Sequence, residues 1–205
     1  MSWQEFVTHG VEAFGDALLL KNRQDLIESA LGGLCDEIAR TATKEGLCGL
    51  ERAKSLRTRP AEDRKSLYEC LNQLIHYWYC CAAGIHLYSR GYENIVLRPT
   101  GTYSKSKKND HYDIVAAHLR GQKVVGEVFC VSEVFWSTKM QKTKAKLNKH
   151  APVQSRRLIY YNTEARKAPY SPRTGRFVIF GISPAGSVEL ISSTENRLTP
   201  GLIGS

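Results

Sequence analysis

One stretch constrains the fold more than any other: Asp-Ile-Val-Ala-Ala-His-Leu from Asp113, then Arg-Gly-Gln-Lys, then Val-Val-Gly-Glu-Val-Phe-Cys-Val ending at Val131. Ile114, Val115, Val124, Val125, Val128 and Val131 supply β-branched runs, and Arg120-Gly121-Gln122 supplies a turn, so the stretch reads as two strands closed into a hairpin. Asp113 opens the first strand and Glu127 lies inside the second. Across an antiparallel ladder the two can fall near each other. Two acids on strands covered by helices are costly to ionise unless a cation shares the site. A divalent metal ion removes that cost.

The flanking segments supply the cover. Trp3, Val7, Val11, Phe14 and Leu18 recur at helical spacing and predict a helix over 3–19. Leu26, Ile27, Leu31, Leu34 and Ile38 predict a second over 23–43, ended by a break at Gly46 and Gly49. Residues 51–60 are basic and read as a connection. The longest helix is expected from Ala61 to Tyr88, with Leu67, Leu71, Leu74, Trp78, Cys81 and Ile85 as its stripe. Pro60 precedes it, Glu62 and Asp63 suit its positive end, and Gly91 closes it. A strand over 92–97 and a lysine-rich loop over 101–110 lead into the hairpin. Beyond it, Trp136, Met140, Thr143 and Leu147 mark the inner stripe of a helix over 133–147. At about 100° per residue, Lys139 lies about 60° from the centre of that stripe, while Lys142 points away. A strand over 156–161 follows, then strands over 176–182 and 187–192 around Pro184-Ala185-Gly186, then a loose tail. The expectation is an α/β fold: a mixed central sheet of four or more strands flanked by helices. Residues 1–57 form an N-terminal helical extension, and 58–205 form the core with a C-terminal β-hairpin.

Charge adds a direction. The net charge is +9, and residues 101–176 hold sixteen Lys and Arg against five Asp and Glu. That concentration points to a polyanion-binding face, against the plainer reading of a solvated surface. The chain lacks an apolar run of roughly 18 residues, so no membrane span is expected. It lacks a basic and apolar leader at its start, so a cytoplasmic, intracellular protein is expected. Six cysteines without a Cys-x-x-Cys pair argue against zinc and for reduced thiols.

The order helix, strand, strand, strand, helix, strand, with "RGYENIVLRPTG", "YDIVA" and "GEVFCV" at its strands, resembles the PD-(D/E)xK nuclease superfamily over roughly residues 62–161. That superfamily has a restriction-endonuclease-like core and includes the archaeal Holliday-junction resolvases. The resemblance implies a metal-dependent DNA endonuclease that hydrolyses phosphodiester bonds. It implies Asp113 and Glu127 as ligands of Mg²⁺ (or Mn²⁺), with the Val128 carbonyl as another. It also implies a water-activating lysine two residues beyond Glu127. Phe129 stands there instead, and Lys139 from the following helix is the expected substitute, with Lys142 second. Lys105, Lys107 and Lys108 in the loop, and Arg156 and Arg157 on the next strand, are expected to track a nucleic-acid backbone. DNA is the expected partner, and a homodimer suits cleavage of both strands. Phe129 supports the alternative, a catalytically inactive nuclease-fold DNA-binding module. Glu69, Asp110 and His111 are secondary candidates for contact with the site.

Overall fold

The computed structural model describes residues 12–55, 67–98, 112–165 and 177–193. Its centre is the expected hairpin. Strands β3 (Ile114–His118) and β4 (Lys123–Phe129) pair antiparallel, with Ile114 opposite Gly126 and Val115 opposite Val125. Gly121 takes φ of 79° in the turn between them, a left-handed conformation in which a Cβ would be strained. Strand β2 (Tyr92–Leu97) flanks β3 antiparallel, and a three-residue strand β1 (Glu12–Phe14) flanks β2. On the other side β4 pairs parallel with β5 (Arg156–Asn162), and β5 pairs parallel with β6 (Phe177–Ile182). Strand β7 (Val188–Ser193) closes the edge antiparallel. The result is a seven-stranded mixed sheet whose strand order follows the chain.

Helices cover both faces. A parallel pair cannot be joined by a tight turn, and helix α3 (Glu133–His150) makes the crossover from β4 to β5. On the opposite face lies helix α2 (Leu67–Ser89), covered in turn by helix α1 (Ala17–Ser55). Because α2 is packed on two sides, Leu74, Tyr77, Cys80, Cys81, Ala83 and Leu87 are all buried. Leu20, Ile27 and Leu34 of α1 join them in one cluster with Ile114, Val124 and Val128. Val125, Phe129, Ile159 and Tyr161 face the other way, against Trp136, Met140 and Leu147 of α3. Side chains alternate along a strand, so Glu127 shares the α3 face with Val125 and Phe129.

The amino-terminal expectation is corrected within the described residues. Glu12–Phe14 is a strand, and the helix begins only at Ala17. The helical spacing of Phe14 and Leu18 spans a break at Gly15-Asp16. Asp16 Oδ1 accepts the Leu19 N–H at 2.8 Å, the bond of a helix N-cap, and that sets the start. Phe14 is instead buried at the sheet edge, where the Tyr88 hydroxyl donates to its carbonyl at 2.7 Å. The helix then runs past 43 to Ser55, with Gly46 as a kink (φ 58°, ψ −137°), so residues 51–55 are helical and not a connection. Residues 1–11, the expected start of the long helix at 61–66, the lysine-rich loop and the tail lie outside the described residues. Among the described residues no helix is long and apolar enough to cross a membrane.

Candidate active site

Extending the β3–β4 register by one residue sets Asp113 opposite Glu127. Asp113 stands just before β3, where the ladder ends. Its Oδ2 accepts the Val128 N–H at 2.9 Å, so the carboxylate caps the ladder with a bond that holds it in place. Its own carbonyl accepts the Arg98 N–H at 2.9 Å. From α2, His76 Nε2 lies 3.0 Å from the Val128 carbonyl oxygen and 3.6 Å from Asp113 Oδ2. A carbonyl only accepts, so Nε2 carries the proton of that bond. The same nitrogen lies 3.7 Å from Cys80 Sγ. The His76 and Asp113 side chains keep 24% and 19% of their surface, so this corner reaches solvent.

Glu127 is more deeply set, with 8% of its side chain exposed, and its Oε1 accepts from Lys146 Nζ at 2.6 Å. Burial pushes the Glu127 carboxyl up, the Asp113 charge pushes it further, and Lys146 and Lys139 pull it down less, leaving it at about 7. Asp113 goes the other way. Burial raises its pKa, but the charge and hydrogen bond of His76, the Val128 N–H and the Lys146 charge outweigh that and hold it below its ordinary value. For His76, burial favours the neutral ring. Cys80 and then Asp113 outweigh it and raise the pKa well above the ordinary value. Two neighbouring acids are thus driven apart, one ionised and one holding its proton near neutrality.

The lysine at Glu127 is Lys146, and this corrects the expectation for Lys139. Lys139 is exposed and makes no ion pair with Glu127; it acts there only through its charge at longer range. Lys142 is exposed as well. Lys139 and Lys146 are seven residues apart, which returns a helix to within about 20° of the same direction. They differ by about 10 Å along the axis. Helix α3 runs back along the sheet after β4, and helical side chains lean toward the helix N-terminus. The lysine two turns further along therefore leans back onto Glu127. Asn162 anchors the start of this path, accepting the Val131 N–H at 3.0 Å and donating to the Val131 carbonyl at 3.1 Å.

Phe129, on the face of Glu127, is 2% exposed and stacks on Tyr161 with ring centres 6.0 Å apart; Trp136 meets Tyr161 edge-on at 5.4 Å. The position two beyond the glutamate is thus part of the seam between sheet and α3. Arg156 and Arg157 open β5 opposite Val124 and Val125, two or three residues short of the register of Glu127. Arg157 Nη1 donates to Asn148 Oδ1 of α3 at 2.6 Å. They border the sheet at one end and do not enter the acid cluster. Glu69 is exposed in the first turn of α2. Lys105, Lys107, Lys108, Asp110 and His111 lie outside the described residues.

Two members were missed by sequence reasoning. His76 sits between the apolar positions Leu74 and Trp78, and helical periodicity gave no sign of its partner on another element. Lys146 was legible as a lysine flanking Leu147, at the same helical angle as Lys139, but that angle alone does not separate the two. Among the described residues no three His, Cys, Asp or Glu side chains are grouped to hold a metal ion. The donors present are oxygens of Asp113 and Glu127 and the Val128 carbonyl. They fit a hard divalent ion, which takes one or two carboxylates and completes its shell with water or substrate. No family model, no curated protein and no solved structure matches the chain.

Proposed function

We propose that the protein is a metal-dependent endonuclease that hydrolyses DNA phosphodiester bonds on a restriction-endonuclease-like core of the PD-(D/E)xK type, with Lys146 in place of the missing strand lysine. One observation carries the reading. At the end of the β3–β4 ladder Asp113 lies close enough to Glu127 for its charge to raise the glutamate's pKa, and a lysine ammonium from the crossover helix lies 2.6 Å from Glu127. Asp113, Glu127 and the Val128 carbonyl would hold Mg²⁺ or Mn²⁺. When bound, the ion neutralises phosphate charge and lowers the pKa of a coordinated water. The Val128 N–H and His76 keep Asp113 ionised and fixed in direction. Lys146 keeps 37% of its side chain exposed, so its ammonium serves Glu127 on one side and an incoming phosphate oxygen or water on the other. Phe129, Tyr161 and Trp136 form a dry wall on the face that Glu127 shares. The basic balance of residues 101–176 supplies the attraction for a backbone. Cutting both strands takes two such sites or two visits, so a symmetric pair belongs to the proposal.

The test is cleavage of supercoiled, linear, branched and single-stranded DNA with Mg²⁺ and with Mn²⁺, by the parent chain and by Asp113→Asn. Metal-dependent nicking that the variant loses, with DNA binding retained, is the expected result. A parent chain that binds DNA but cuts nothing with either ion would leave the second reading, a nuclease-fold binding module, which the buried Phe129 favours.

A further inference from the structure

His76 enters the acid corner from the opposite face of the sheet, on a helix whose neighbouring residues Tyr77 and Cys80 are buried. Its Nε2 lies 3.0 Å from the Val128 carbonyl oxygen and 3.6 Å from Asp113 Oδ2. Ligands about 2.1 Å from one ion stand about 3.0 Å apart in an octahedron and about 3.4 Å apart in a tetrahedron. The two contacts of Nε2, at 3.0 and 3.6 Å, span the separations of neighbouring ligands on a single ion. We propose that His76 Nε2 is itself a ligand of the cation held by Asp113 and the Val128 carbonyl, and that the site selects a transition-metal ion of the Mn²⁺ class over Mg²⁺.

This rests on the metal-site reading above and adds a nitrogen donor to it. The ion takes the place of the Nε2 proton; the ring binds as the neutral imidazole with its proton on Nδ1, and any second proton leaves to solvent. Asp113 and Glu127 then balance a doubly charged ion, with Lys146 at the rim. Mg²⁺ takes oxygen ligands, whereas imidazole raises affinity along the first transition row. The plain alternative is that His76 only ties α2 to β4 through its hydrogen bond.

Spin-echo electron spin resonance of bound Mn²⁺ separates these, because a directly bound imidazole nitrogen modulates the echo. The metal-free protein, its His76→Gln variant and its Asp113→Asn variant would each be titrated with MnCl₂ and MgCl₂ by calorimetry, with circular dichroism to check folding. The proposal expects nitrogen modulation in the parent and its loss in His76→Gln. It also expects Mn²⁺ to be preferred over Mg²⁺ by about 10-fold or more in the parent, with the preference much reduced in that variant. Mn²⁺ binding that needs Asp113 but shows no nitrogen modulation, or modulation that survives His76→Gln, would overturn the proposal and leave the metal-site reading standing. A parent chain that holds neither ion at millimolar concentration would overturn both. If His76→Gln fails to fold, the parent spectrum alone decides: absence of nitrogen modulation overturns the proposal, and its presence together with Asp113 dependence supports it.

Discussion

At Glu127 burial and charge act against each other, and the balance is measurable. Its carboxyl is raised from an ordinary 4.5 to about 7. The folded state therefore holds this proton more tightly than the unfolded chain. The stability it contributes is complete below about pH 4.5 and is lost as pH rises through about 7. Asp113, held below its ordinary value, contributes in the opposite sense: its share is present above its unfolded pKa and is lost as pH falls through its folded pKa. Glu127→Gln removes the first dependence and keeps the second. In chelator, the variant is expected to be more stable than the parent by about 1–3 kcal/mol near pH 8, with the difference gone near pH 4, by urea denaturation. A variant that is less stable near pH 8 would show that the Lys146 pair outweighs the cost of burial. Lys146 carries a second prediction at this scale. Lys146→Met is expected to slow cleavage by about 10²–10⁴-fold, the range for losing a positioned electrostatic group, while Lys139→Ala slows it by less than about 10-fold. Equal effects of the two, in a plasmid-nicking time course, would return the role to the helix face as a whole.

At the scale of elements, the hairpin and α3 hold the site, and Phe129 shows how. Its ring is packed between β5 and α3 in the stack with Tyr161 and Trp136. Phe129→Lys would place a lysine two residues beyond Glu127, where the proposed nuclease reading expects one. It would also place an ammonium in an apolar seam, or force α3 outward to let the charge reach water. The expected outcome is a loss of about 3–5 kcal/mol in unfolding free energy and no gain in cleavage. A variant with parental stability and faster cleavage would mean that the aromatic stack does not fix α3. With the strand position given over to packing, the crossover helix is the element left to bring a lysine to Glu127.

For the whole molecule, the layers run α1, α2, sheet, α3, and the positive charge gathers in the sequence of the second half. If that charge meets a phosphate backbone, affinity falls with salt in proportion to the number of phosphates neutralised. Replacing Lys105, Lys107 and Lys108 together by Ala is expected to weaken DNA binding and make the slope of log affinity against log salt shallower by about 3, near one unit for each phosphate that a lysine no longer neutralises. Fluorescence anisotropy over a salt series reads this directly. Identical slopes for parent and variant would remove the loop from the interface.

Much of this architecture was local enough to read along the chain. The turn at Arg120-Gly121-Gln122 sets the hairpin register, and register alone carries Asp113 to Glu127, so the acid pair was legible from a stretch of under twenty residues. The stripe of α3 and the strands on either side followed from periodicity in the same way. The amino-terminal segment misled because Phe14 fits both a helical stripe and a sheet edge, and only the N-cap at Asp16 and the pairing of β1 with β2 distinguish them. His76 and Lys146 needed the tertiary structure. Periodicity fixes the angle at which a side chain leaves its helix, and Lys139 and Lys146 share that angle. It does not fix how far a helix slides along the sheet, nor which residue of α2 comes to rest beside the end of β4. Those offsets are set by core packing between elements distant in sequence, and they decided which base meets which acid.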